Sequence, residues 1–284
     1  MSYDEISPQP IDRDLARRAG ARAVRAPGWA TVRRALLARA ADPYRPAGRF
    51  AYHFARGKLH HDPIFRAILE RGLLRGQPRI LDLGCGQGLL AAWLRAASRC
   101  YEQGEWPRRW PPPPAPRSIR GIELMECDVA RARQGLGNSC EVVHADIRDL
   151  PFGNADAAVI LDVLHYMPEA SQRDVLQRVR AALPPSGVLL LRIGDADAGL
   201  RFRLTCWSDR LILLFRGHGL LPLHCRGLAR WRKLLQECGF ESRSEPMSEG
   251  TPFANVLLIA RPAERERVPG ADAPAARGPY GVGL

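Results

Sequence analysis

A glycine-rich turn between a predicted strand and a predicted helix constrains this chain more than any other feature. The apolar run 79–83 contains Asp82, and Gly84, Gly86 and Gly88 follow it at alternate positions. Glycines spaced in this way let the backbone turn tightly and approach a ligand with no side chain in between. The helix that begins near Gly88 presents free N–H groups in its first turn, which suit a polar or anionic ligand group. We therefore predict a ligand-binding loop here; a glycine turn without a ligand is the alternative.

Segments typical of strands alternate with segments typical of helices along most of the chain. Strands are predicted at 79–83, 119–123, 141–144, 157–161 and 188–193, and helices at 88–97, 128–136 and 170–182. Apolar strands that alternate with amphipathic helices predict a parallel sheet covered on both faces. Two later strands, at 240–244 and 255–260, can close the sheet as a hairpin. The expected fold class is α/β, a Rossmann-like doubly wound sheet of seven strands with a terminal antiparallel hairpin.

Changes in composition divide the chain into one main domain with appendages. Residues 1–48 are rich in arginine and alanine and predict an N-terminal arm or lid, and 49–262 form the domain. Within the domain, 101–117 contain four consecutive prolines and predict an irregular surface insertion. Residues 195–237 predict a substrate cap. The end, 263–284, is rich in proline, glycine and charge and is predicted to be disordered.

The basic composition disfavours a nucleic-acid partner, although a formal charge of +12 first suggests one. Lys58 and Lys233 are the only lysines, so 40 of the 42 basic residues are arginine. These arginines are spread along the whole chain together with many alanines and prolines, which is typical of biased codon usage rather than of a binding patch.

Several features predict a cytoplasmic protein. No stretch approaches the roughly 20 apolar residues of a membrane-spanning helix, and residues 1–14 lack the features of a secretory signal. The seven cysteines form no Cys-x-x-Cys pair and their number is odd, which disfavours a disulfide framework or a structural zinc. His60 and His61 are adjacent and lack an evident third ligand, so we predict no metal.

Acidic residues follow the next two predicted strands. Glu123 ends the second strand, where a carboxylate can accept both hydroxyl hydrogen bonds of a ribose; a solvated strand end is the alternative. Glu123 lies 35 positions beyond Gly88, and without the 17-residue insertion the spacing fits one crossover helix. Asp146 follows the third strand. Asp149 reads instead as a turn or cap residue.

The glycine loop, Glu123 and Asp146 follow one another in the order typical of the class I methyltransferase family. On these features, roughly residues 62–261 of the chain resemble that family. The resemblance implies S-adenosylmethionine as the cofactor, Glu123 at its ribose and Asp146 at its adenine amino group, with Tyr52 or Lys58 meeting its methionine carboxylate. The cofactor-binding residues predicted in this way are Asp82, Gly84, Cys85, Gly86, Gly88, Glu123, Leu124, Asp146, Ile147, Leu161, Tyr52 and Lys58.

The segment Leu161–Met167 follows the fourth strand, where the family places residues around the transferable methyl group. Asn-Pro-Pro-Tyr and Pro-Cys signatures are absent, which weakens methylation of nucleic-acid bases further. Methyl transfer is an in-line displacement, so the protein must mainly align the acceptor and exclude water. An imidazole that titrates near neutrality can take a proton from a hydroxyl acceptor, which makes His165 the candidate catalytic base. A hydrogen-bonded His165 in the pocket wall is the alternative.

A second set of residues is predicted to bind the methyl acceptor. Its candidate substrate residues are Tyr166, Arg192, Arg201, His218 and Phe253, and an arginine here can bind a carboxylate or phosphate. The cap and the late loop resemble a narrower bacterial subgroup, small-molecule methyltransferases of aryl polyene pathways. The helix expected at 207–216 is either a buried cap helix or a peripheral membrane contact.

The predicted function is O-methylation of a small aromatic metabolite, free or bound to a carrier protein. An RNA or protein methyltransferase, a carboxylate O-methyltransferase and a non-catalytic partner subunit are the alternatives. The acceptor itself and the oligomeric state are not predicted.

Overall fold

The computed structural model describes residues 28–202, 204 and 222–264. The helices in this part of the chain are α1 (Trp29–Ala41), α2 (Arg49–His61), α3 (Pro63–Glu70), α4 (Leu89–Glu102), α5 (Glu126–Leu136), α6 (Glu169–Ala182) and α7 (Leu228–Glu237). The strands are β1 (Arg79–Leu83), β2 (Ser118–Glu123), β3 (Glu141–His144), β4 (Ala157–Leu161), β5 (Val188–Gly194), β6 (Phe240–Pro246) and β7 (Asn255–Pro262). Short 3-10 turns lie at Asp42–Tyr44, Gly137–Ser139 and Leu164–Tyr166.

The seven strands form one sheet in the order β3-β2-β1-β4-β5-β7-β6. The first five strands are parallel, and β7 pairs antiparallel with both β5 and β6. The predicted α/β fold with a terminal antiparallel hairpin is therefore confirmed. The carboxyl ends of five parallel strands meet at one edge of the sheet, which is where such folds bind ligands.

The core has two halves, one on each face of the sheet. Neighbouring residues of β4 point to opposite faces, so Val159 packs into one half and Ile160 into the other. Helices α1 to α5 contribute to the first half, and α6 and α7 contribute to the second. The alternation of strands and helices in the sequence arises because both faces of the sheet must be covered.

The described part of the predicted N-terminal arm packs into this core. Leu36 and Ala40 of α1 are completely buried. After α1, the Tyr44 hydroxyl donates to the carbonyl of Gln87 in the glycine loop (2.7 Å), and the Gln87 amide donates to the carbonyl of Ala51 (2.9 Å). The segment therefore supports the loop from behind. Residues 1–27 lie outside the described part of the chain.

Part of the predicted surface insertion is buried against the rest of the protein, although its prolines predicted an irregular surface segment. It begins after α4, which extends to Glu102, and Trp106 within it is buried. The Trp106 ring contacts Trp110, which packs on Trp29 of α1 with ring centroids 4.8 Å apart. The high proline content of the segment does not predict contacts with residues this far away in the chain.

No helix in the described ranges is long and apolar enough to cross a membrane. All of the helix expected at 207–216, and nearly all of the predicted disordered tail at 263–284, lie outside the described residues.

Candidate active site

A cavity of about 600 Å³ opens at the carboxyl edge of the sheet. Most of the predicted cofactor residues line it. They come from the ends of β1, β2 and β4, from the turns after β1, β2 and β3, and from helix α2. Those residues are Lys58, Asp82, Gly84, Cys85, Gly86, Glu123, Leu124, Asp146, Ile147 and Leu161. The sheet order thus brings together residues that are far apart in the sequence.

The glycine loop has no room for side chains at two of its positions. Gly84 has φ of +72°, and a Cβ added to it would lie 2.4 Å from a methyl carbon of Val163. Gly88 has φ of +77°, and its added Cβ would lie 2.4 Å from Leu136. Gly88 does not line the cavity; its role is to let α4 begin close to α5. Both positions require glycine because of backbone angle and close packing.

Glu123 fastens the loop to the end of β2. One carboxylate oxygen accepts from the Gly86 amide and the other from the Met125 amide, both at 2.8 Å. The carboxylate is buried and lines the cavity. A carboxylate has about four lone-pair positions, so these two bonds leave capacity for ribose hydroxyls.

Asp82 lies beside Glu123 under the loop. It is buried, and burial together with the nearby Glu123 charge raises the pKa of Asp82 to about 7. Burial also raises the pKa of the Cys85 thiol, so this cysteine stays protonated at neutral pH. The loop therefore presents a concentration of acidic groups and no thiolate nucleophile.

Asp146 is held by an arginine that the sequence analysis missed. Arg148 donates to one Asp146 oxygen through its backbone amide (2.8 Å) and to both oxygens through its guanidinium, with Nε at 3.0 and 2.9 Å. These hydrogen bonds lower the pKa of Asp146. Arg178 of α6 donates to the carbonyls of Ile147 and Arg148 and fixes the same turn from behind. Arg148 follows Asp146 by two positions, and this spacing was the sequence feature from which their contact could have been predicted.

Arg192 requires a correction to its predicted substrate role. It is 1% exposed, and its guanidinium binds Asp62 and Asp162. A planar fork already engaged by two carboxylates cannot also bind a substrate carboxylate in two-point fashion. Arg192 is instead the centre of a charge network at the ends of β4 and β5. Asp62 also caps α3 by accepting from the Ile64 backbone amide.

His165 lies in the cavity wall, in the 3-10 turn after β4. Burial lowers the pKa of His165 to about 4, although Asp162 opposes the shift. The ring packs on Tyr166, with centroids 4.0 Å apart. Gln172, which the sequence analysis did not single out, fixes this turn by donating to the carbonyls of Leu164 and Met167.

The other predicted residues differ in their position relative to the cavity. Tyr166 and Phe253 line the cavity. Tyr52 does not: its hydroxyl accepts from Arg45, and the Arg45 guanidinium lies over its ring at the surface. Arg201 donates to the Thr251 carbonyl (3.4 Å) beside a separate open pocket. His218 lies outside the described residues.

Part of the chain matches a known protein family. Residues 80–187 match the family described as a methyltransferase domain. The chain is similar to a carboxy-S-adenosyl-L-methionine synthase of Chromohalobacter salexigens, with 35% identity over 129 residues. That match covers 44% of this chain and 42% of the relative, so the chain matches about two fifths of the relative's length.

Solved structures share the fold. An O-methyltransferase family protein from Burkholderia thailandensis is 19% identical, with a TM-score of 0.54 over 89% of this chain and 70% of the other. Magnesium protoporphyrin IX methyltransferase from Synechocystis, described with bound S-adenosylhomocysteine (SAH), is 20% identical, with a TM-score of 0.50 over 83% of this chain and all of the other.

Proposed function

We propose that this protein, whose residues 80–187 match a methyltransferase domain family, uses S-adenosylmethionine to methylate an oxygen of a small acceptor. One observation carries the proposal: the glycine loop, Glu123 and Asp146 line a single cavity in the order of the strands that bear them. Three separate sequence predictions thus meet at one edge of one sheet.

The cavity fits an adenosyl cofactor that lies along this edge. Parallel strands are about 4.8 Å apart, so the ends of β3, β2, β1 and β4 offer four successive positions. Asp146 at β3 suits an adenine amino group, and Glu123 at β2 suits the ribose hydroxyls. At Gly86 an added Cβ would meet nothing within 4 Å, so this open position lets the part of the cofactor beyond the ribose pass close to the backbone. When bound there, S-adenosylmethionine supplies a methyl group on a sulfonium that is already activated for transfer.

The remaining wall of the cavity supports a small, partly apolar acceptor. It is formed by aromatic and apolar side chains from α2, α3, the turn after β4 and the late loop, namely Phe54, Phe65, Tyr166, Met167 and Phe253. Such a lining excludes water and orients a flat ligand by contact. An aromatic hydroxyl fits this description, and the resemblance to the aryl-polyene subgroup places polyene-linked phenols first among acceptors to test.

His165 is the group we propose to meet the acceptor oxygen. With a pKa of about 4, its imidazole is uncharged at neutral pH and can accept a hydrogen bond. It is also a weak base, because basicity falls with pKa. This favours acidic acceptors, phenols and carboxylates, over simple alcohols.

A second candidate function comes from the similarity to carboxy-S-adenosyl-L-methionine synthase. The similarity covers 44% of this chain. Formation or use of a carboxylated cofactor is therefore the alternative reaction at the same site.

The test is an activity screen with purified protein and S-adenosylmethionine. Phenols, carboxylic acids, carrier-bound analogues, RNA and protein are offered separately, and SAH release and the mass of each product are measured. The proposal predicts a methylated phenol or carboxylate. A methylated RNA or protein alone would overturn the small-molecule proposal. A carboxylated cofactor formed when a carboxylic acid is offered as the carboxyl donor would establish the alternative.

A further inference from the structure

A glutamine lies on the buried face of α6, where the other residues are apolar. The buried residues of this helix are Gln172, Val175, Leu176, Val179 and Ala182, at the spacing of one helix face. Gln172 is completely buried. A primary amide has two N–H donors and an acceptor oxygen, and burying them without partners costs free energy. Gln172 therefore needs partners inside the protein.

The Gln172 amide joins separate segments of the chain. Its nitrogen donates to the carbonyls of Leu164 and Met167 in the turn after β4, both at 3.1 Å, and to the carbonyl of His224 at 2.8 Å. Its oxygen accepts from Nε of Arg226 at 2.7 Å. One buried side chain thus connects the turn after β4 with a segment that lies more than 50 positions beyond Gln172.

That segment comprises residues 222–227, the part of the predicted cap that leads into α7, and we call it the return segment. The Arg226 side chain, which is 13% exposed, also pairs with Glu169 at the start of α6 (3.1 Å). The His224 backbone amide donates to the carbonyl of His165 (2.8 Å). The return segment is therefore attached both to α6 and to the turn after β4.

The turn after β4 relies on these contacts for its backbone acceptors. The carbonyls of Leu164, His165 and Met167 all accept from Gln172 or His224. Three successive residues of this turn line the cavity. Because backbone polar groups need partners when they are buried, the conformation of this cavity wall depends on the return segment.

We infer that Gln172 and Arg226 are positioning residues that join the return segment to the turn carrying His165, and that the acceptor wall is complete only when this segment is docked. Neither residue lines the cavity, so both act through the turn. This inference rests on the proposed function for the role of the turn, whereas the attachment itself can be tested without an acceptor.

The test measures the titration of the His165 imidazole by NMR in protein labelled with ¹³C-histidine. Its signal is the one that is lost in His165→Asn. Gln172→Met keeps the length and neutrality of the side chain and removes its hydrogen bonds, and Arg226→Met removes the donor to the Gln172 oxygen. Arg173→Met is the control, because it removes the same charge and breaks an exposed ion pair between α6 and Glu237 of α7 (2.5 Å).

Burial lowers the pKa of His165 to about 4, with the nearby Asp162 opposing the shift. The wild type and Arg173→Met should therefore show no titration of this ring between pH 5 and 8. In Gln172→Met the released turn gives the ring access to water, so its titration should move above pH 5, toward the ordinary value of about 6.5. Arg226→Met should shift it less, because the three bonds donated by Gln172 remain.

A cooperative thermal transition shows that a variant is folded, and if Gln172→Met fails this check, Arg226→Met decides. A folded Gln172→Met or Arg226→Met in which His165 titrates as in the wild type would overturn the attachment. An equal shift in Arg173→Met would do the same, since loss of a nearby positive charge would then be sufficient.

A second measurement connects the attachment with catalysis. For a phenol that the activity screen shows to be methylated, Gln172→Met should lower kcat by about 10-fold, as expected for the loss of one catalytic contact, and leave the KM for S-adenosylmethionine unchanged. Full kcat in a variant whose His165 titration has shifted would refute the positioning role. A wild type that methylates no acceptor contradicts the proposed function instead, and the NMR comparison still decides the attachment.

Discussion

The two ends of the cavity are built in different ways. At the β2–β3 end, the acids are held by residues close in sequence: Glu123 by Met125, and Asp146 by Arg148. At the β4–β5 end, Arg192 joins Asp162, 30 positions away, and Asp62, 130 positions away. The first end is assembled by local turns, and the second exists only once the sheet has formed.

The ends also differ in charge. Asp82, beside Glu123, has a raised pKa because burial and a like charge oppose its ionisation. At the other end burial would also raise the carboxylate pKa values, but Arg192 and Lys58 outweigh it and lower those of Asp62 and Asp162. An acid-rich end and a charge-balanced end suit different parts of one ligand.

The largest effect is expected where the two ends meet, at Gly84. Gly84→Ala forces a left-handed backbone on alanine and a clash with Val163. Overpacking and the backbone cost together should lower the free energy of unfolding by roughly 2–5 kcal/mol. Urea denaturation measures this.

Gly104→Ala is the matched control. Gly104 has the same φ, +72°, but its added Cβ meets nothing within 4 Å. The free energy of unfolding should therefore fall only by the cost of the left-handed backbone, about 1–2 kcal/mol. Equal losses in the two variants would show that the contact with Val163 is not tight.

The next effect concerns the local acids. Glu123→Ala and Asp146→Ala should each weaken SAH binding by about 1–3 kcal/mol, because each removes a buried or partly buried polar partner of the ligand. Calorimetric titration gives the affinities. Unchanged affinity in both variants would remove the ribose and adenine from the β2–β3 end.

A substitution beyond this end should separate catalysis from binding. His165→Asn is expected to lower turnover by roughly 10-fold, less than a well-matched base contributes, while SAH affinity stays the same. Since the pKa of His165 is about 4, wild-type turnover should show no titration of this group between pH 5 and 8. A fully active variant would contradict its contact with the acceptor.

The last prediction is a pH dependence of stability at Asp82. The folded state binds the Asp82 proton more tightly than the unfolded chain, whose pKa is near 3.8, so this group costs stability as pH rises from 3.8 through about 7. Asp82→Asn removes that cost. Its melting temperature relative to wild type should rise between pH 5 and pH 8, by roughly 2–4 °C for each kcal/mol recovered. A difference that is constant with pH would contradict the raised pKa.

The same contrast explains what the sequence predicted. Features that are recognised from neighbouring residues in the sequence were predictable. These are the strands, the glycine loop, Glu123 and Asp146. The role of Arg192 was not, since a basic residue after an apolar strand does not reveal which acids fold against it. The packing of Trp106 through Trp110 onto Trp29 was missed for the same reason, because those contacts join distant segments.

The identity of the cofactor underlies every role assigned to the cavity, and parallel calorimetric titrations can determine it. Purified protein is titrated with S-adenosylmethionine, SAH, NAD and NADP. If the cavity binds S-adenosylmethionine, this compound and SAH show saturable one-site binding, and the nicotinamide cofactors do not bind. Binding of a nicotinamide cofactor alone would contradict the cofactor assignment and indicate a dehydrogenase.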